Sequence, residues 1–177
     1  FTGPVDTSAG LAAAAITDAN SLIISGNGAG ASGDHTFNAN GMVSQSGAFG
    51  GTVGDAVVNA GVGPIVFTDP GNNIVATSIA FNTTGAASFT NAAAVNLAAS
   101  SIGGALSLTA GGVTQTGAIT VGGTSTINAG ANPITLTNAS NALTGAVSLN
   151  NSGANNGAVT GANGIILGTS SVGKGTL

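Results

Sequence analysis

The chain copies itself, and that copying limits its fold more than any single residue does. "NGMVSQSGAFGGTVGDAVVNAG" (40–61) and "GGVTQTGAITVGGTSTINAG" (111–130) run in the same order. Each passes through valine, a polar residue, glutamine, a hydroxyl residue and glycine, and each closes on Asn-Ala-Gly. "PIVFTDPGNNI" (64–74) matches "PITLTNASNAL" (133–143) at an offset of 69, and "SSIGG" (100–104) matches "SSVGK" (170–174) at 70. "AITDANSLIISG" (15–26) matches "AVTGANGIILGT" (158–169) at 143, close to twice 70. Residues 1–177 therefore read as one segment built of about 2.5 copies of a unit of about 70 residues, without evident caps. Self-similarity of this kind marks a stacked array, in which each unit buries its apolar side on its neighbours.

A shorter rhythm runs inside the unit. Apolar-led runs start at Leu106, Val113, Ile119, Ile127 and Ile134, six to eight residues apart. Each run is short and alternates, as in Leu106-Ser107-Leu108, which reads as a strand with one buried face. Gly, Asn and Asp separate the runs and supply turns. Three steps total about 20 to 21 residues, which predicts triangular coils of three short strands, stacked as parallel sheets with coils about 4.8 Å apart. The spacing places Leu106, Ile127 and Val147 in one core stack, and Val113 and Ile134 in another. Asn59 and Asn128, which open the two Asn-Ala-Gly closures, are expected as repeated turn residues that tolerate left-handed geometry and can stack their amides. The fold class is thus an all-β parallel β-helix of roughly 8–9 coils.

Two other folds compete. "LAAAAI" (11–16) and "NAAAVNLAAS" (91–100) have helical propensity. Their counterparts in other copies carry Gly and β-branched residues, and equivalent positions should share one backbone. A β-sandwich also uses short strands at regular spacing, but its strands have no reason to copy one another.

Composition narrows the function. Charged residues are 3% of the chain, Lys174 is the one base, His35 the one histidine, and the net charge is −4. No basic patch exists for nucleic acid or anionic lipid. The longest apolar run, residues 11–16, is too short to insert in a membrane, where about 20 residues are needed. A mean hydropathy of +0.46 sets the chain apart from disordered sequences, which combine low hydrophobicity with high charge. One base and no glutamate leave little for acid–base catalysis, so no enzyme, cofactor or metal site is expected.

Each motif with a chemical reading has a plainer one. "GNGAGA" (26–31) fits a loose dinucleotide fingerprint but lacks a following helix and reads as an enlarged turn. Asp34-His35 is the one acid–His pair; catalysis would need a nucleophile converging on it, so a solvated turn is expected. A calcium-binding Gly-Gly-x-Gly-x-Asp repeat is absent. Asn82, Asn138 and Asn150 begin glycosylation sequons, which arise by chance in so Asn- and Thr-rich a chain. "TST" (124–126) and "TLT" (135–137) suggest a ragged threonine row of the kind an ice-binding solenoid would carry.

"GGVTQTGAITVGGTSTINAG", "ANPITLTNASNALTGAVSLNNSG" and "GIILGTSSVGKGTL" resemble the repeats of filamentous haemagglutinin-like bacterial exoproteins, exported by two-partner secretion. The resemblance implies a right-handed β-helix shaft at the bacterial surface or outside the cell, in an adhesin that acts by rigid extension. Its implied partners are adjoining repeats or neighbouring copies stacked end to end, together with host or surface glycans or proteins. A short subunit that self-assembles into an extracellular filament is the alternative.

Overall fold

The structure is a computed structural model and describes residues 5–6, 13–25 and 32–177. Those residues form parallel strands in stacked coils, a β-solenoid with no helix among them. The first sheet takes one strand from each coil. Its members are β1 (Val5–Asp6), β3 (Leu22–Ser25), β5 (Val43–Ser46), β7 (Ile65–Phe67), β9 (Ala87–Thr90), β12 (Leu106–Thr109), β15 (Ser125–Asn128), β18 (Val147–Asn151) and β20 (Ser171–Val172). The structure has about seven turns, fewer than the 8–9 coils expected from dividing the whole chain by a mean coil length.

The second sheet begins with β2 (Ala14–Asp18), β4 (His35–Ala39), β6 (Gly50–Asn59) and β8 (Asn73–Thr83). Beyond β8 it forks. One branch runs through β10 (Val95–Leu97), β13 (Val113–Gln115), β16 (Ile134–Leu136) and β19 (Gly157–Val159). The other runs through β11 (Ser100–Ile102), β14 (Ile119–Val121) and β17 (Ala142–Leu143). The expected three-strand coil is therefore present from β9 onward. The two coils before it carry two sides as one long strand, β6 and β8.

Coil length explains the fork. Ile79 of β8 lies over Ala56 of β6 after 23 residues, but under Leu97 of β10 after only 18. A shorter coil cannot keep a long flat side, so it folds in at a new corner. Gly117 turns that corner against the coil below, where a Cβ would fall on the backbone of Ala99. The described phenylalanines, Phe37, Phe49, Phe67 and Phe81 in the coils before β9 and Phe89 in β9 itself, surround a cavity of about 70 Å³. The narrow coils are filled by Leu, Ile, Val and Ala.

The core consists of columns along the axis. One column of the first sheet stacks Leu22, Val43, Ile65, Ala87, Leu106, Ser125 and Val147. The next stacks Phe67, Phe89, Leu108, Ile127 and Leu149. Each large apolar side chain so buried contributes about 1.5–3 kcal/mol. Leu106, Ile127, Val147, Val113 and Ile134 are all buried, and Val113 pairs with Ile134. The expected Leu106–Ile127–Val147 stack is corrected by two residues: Ser125 lies between Leu106 and Val147, and Ile127 lies between Leu108 and Leu149. The two coils take 19 and 22 residues, so a mean spacing misplaces the middle rung. The Ala-rich stretch at 91–100 is extended and contains β10, and Ala14 to Ile16 lie in β2.

The sequence copies do not lie above one another. Residues 43–46 form β5 of the first sheet, while their copy at 113–115 is β13 of the second. Ile65–Phe67 and its copy Ile134–Leu136 change sheet in the same way. Ser100–Ile102, on the last side of its coil, is copied by β20 on the first side. A strand and its corner take about seven residues, so a 70-residue unit makes about ten sides of a three-sided coil. Each copy therefore advances three coils and one further side.

Candidate interaction surface

The paired glutamines hold two coils together from inside. Gln45 Nε2 donates to Gly47 O (2.6 Å) and to Asn72 Oδ1 (2.9 Å), while Asn72 Nδ2 donates back to Gln45 Oε1 (2.9 Å). Gln115 repeats this with Gly117 O (2.7 Å), Asn141 Oδ1 (2.9 Å) and a return bond from Asn141 Nδ2 (3.0 Å). Asn72 and Asn141 are wholly buried. Each also accepts a backbone N–H, from Phe49 (2.8 Å) and Ile119 (2.9 Å), and donates to a carbonyl of the next coil, Thr90 and Thr160. This clasp spans three successive coils at a corner where ladder hydrogen bonds stop. The asparagines end matching turns, Asp69–Asn72 and Asn138–Asn141, each closed by a backbone bond of 3.1 Å. The asparagine signal stood in the aligned "DPGN" and "NASN".

Asn59 and Asn128 are the last residues of β6 and β15, not turn residues. Their amides form ladders: Asn59 Nδ2 donates to Asn38 Oδ1 (2.7 Å), and Asn82 Nδ2 to Asn59 Oδ1 (2.9 Å). Asn128 Nδ2 donates to Thr109 Oγ1 (3.3 Å) and Asn150 Nδ2 to Asn128 Oδ1 (3.0 Å). The left-handed backbone falls two residues later, at Gly61 (φ 50°) and Gly130 (φ 53°). Among the described residues no non-glycine has positive φ. Asn-Ala-Gly thus spells a ladder residue, a buried alanine (Ala60 or Ala129) and a turn glycine.

The motif with the fingerprint-like glycines, 26–31, lies outside the described residues. His35 is buried at the start of β4, its Nδ1 2.9 Å from Gly33 O and its ring beside Phe37. That corrects the expected solvated turn: alternation points His35 inward and leaves Asp34 exposed on the other face. Asp34 Oδ1 instead accepts the N–H of Asp55 (2.9 Å), and Asp55 accepts Ser78 Oγ (2.7 Å). Among the described residues no three metal-ligating side chains cluster. The sequon amides of Asn82 and Asn150 are tied up in ladders, and Asn138 caps its own turn through Ser140 N–H (2.9 Å).

One extended outward surface is the face of the first sheet. One row carries Ile23, Ser44, Val66, Ser88, Ser107, Thr126 and Ser148, and a second carries Thr90, Thr109, Asn128, Asn150 and Ser171. Thr126, of the expected threonine array, therefore stands between serines, and Thr135 points out from the second sheet. From β3 to β18 this face carries no charged side chain. Asp34 and Asp55 sit on the second-sheet side, and Asp69 sits at a corner.

A family model described as "Repeats of unknown function (DUF5649)" matches the chain twice in succession, at residues 10–80 and 84–150. No curated protein and no solved structure matches it.

Proposed function

The chain belongs to this repeat family, and from its coil architecture we propose that it serves as a rigid shaft segment of a bacterial surface or secreted adhesin. The observation that carries the reading is the continuous parallel coil itself, whose asparagine amides form ladders along the axis. Such a segment acts by length and stiffness. It needs no cofactor and performs no reaction, and it places a contact surface at a distance from its anchor. The resemblance to filamentous haemagglutinin-like exoproteins supports the extracellular setting. Adjoining repeats continue the stack through the same ladders, and host or surface glycans and proteins are its outer partners.

The test is cryo-EM of the natural polypeptide that carries this segment, with and without one 70-residue unit. The shaft reading expects a rod with coils about 4.8 Å apart, shortened by the deletion, and weaker attachment of cells to surfaces. Unchanged reach and unchanged attachment overturn it. Short chains recovered from dissociated fibres would instead favour a self-assembling subunit.

A further inference from the structure

We infer that the outward face of the first sheet is a pairing surface for the same face of a second copy of this chain. Soluble proteins usually stay apart because about a quarter to a third of their surface is charged with mixed signs. This face has nothing of the kind between β3 and β18. Apart from Ile23 at its β3 end, its side chains are small to medium and lie in registered rows, so a second sheet can approach closely and interdigitate. The rows rise by one strand spacing, about 4.8 Å, and the surface sharing that period over its whole length is another such face.

The cost of drying the face is already reduced. Asn128 donates to Thr109 and Asn150 donates to Asn128 along the axis, so these amides keep partners when water leaves. Area limits the strength of the pairing. The seven strands from β3 to β18 make a face about 30 Å long, and about four residues of strand make it about 13 Å wide. Two copies would together bury about 800 Å², the size of a weak, transient interface. Pairing of this segment alone is therefore weak, and it strengthens as coils are added. The inference stands apart from the shaft reading, since an unpaired coil would still be a rod.

Sedimentation velocity of the full chain over a wide concentration range tests it. The wild type should pass from monomer to dimer with concentration. Ser107→Lys combined with Thr126→Lys should raise the apparent dissociation constant at least tenfold, while Thr120→Lys with Thr135→Lys, on the second sheet, should leave it unchanged. Circular dichroism checks that all are folded. The chain has no cysteine, so a lone Thr126→Cys offers a second readout: mild oxidation should give disulfide dimers, and Thr120→Cys should not. A wild type monomeric at every concentration, or equal effects of both pairs of lysines, overturns the inference.

Discussion

Asn141 does more for its neighbours than any other polar residue in the second copy. It satisfies Gln115, the Ile119 N–H and two carbonyls from a wholly buried position. Asn141→Ala should destabilise the fold by about 1–3 kcal/mol, the usual cost of stranding buried donors and acceptors. A double-mutant cycle with Gln115→Ala in urea should show strong coupling, and additive losses would mean the clasp is incidental. The turn glycines give a sharper comparison. Both need positive φ, which costs an L-residue about 1–2 kcal/mol. A Cβ at Gly130 meets open space, whereas one at Gly61 falls on the Asn40 backbone. Gly61→Ala should therefore lower the melting temperature more than Gly130→Ala. Ser125 is the converse case: its hydroxyl is buried without a partner in the column between Leu106 and Val147. Ser125→Ala should be neutral or slightly stabilising in thermal melts, and a large loss would reveal a bonded hydroxyl.

Strands and corners are the scale at which the sequence was most legible. Short alternation gave parallel strands, and glycine, asparagine and aspartate marked the corners. The Val113–Ile134 rung could be read from spacing because its coil has the mean length. The rung above Leu106 could not, because coils of 19 and 22 residues sit on either side of Ser125. Nor could the fusion of two sides into β6 and β8, since nothing local separates a flat strand from one that turns a corner. That choice is set by coil length and by the phenylalanines the wider section must enclose. His35 was misread for a related reason. A polar ring is buried where a broad coil has aromatic neighbours and a backbone carbonyl to offer. Leu108→Ala, in a narrow coil with a fully buried column, should cost about 2–5 kcal/mol by chemical denaturation.

For the whole molecule, near absence of charge becomes a measurable property. Stability should change little between dilute buffer and molar salt, because few exposed charges exist to be screened. Acid brings one identified exception. The Asn20 N–H, 2.9 Å from Asp18 Oδ1, holds that carboxyl below its ordinary 3.8. A depressed folded value means the stabilisation is full above 3.8 and is lost as pH falls through the lower folded value. Melting temperature should be flat from neutral pH to about 5 and fall below 4, and Asp18→Asn should flatten part of that fall. The extra side that each 70-residue copy adds has a consequence of another kind. Gaining or losing one copy moves everything beyond it by about 16 Å along the axis and also turns it by a third of a revolution. Copy number is then an angular setting as well as a ruler. Lineages that differ by one or two copies would aim the same tip in different directions, and those that differ by three would restore its heading at a new height.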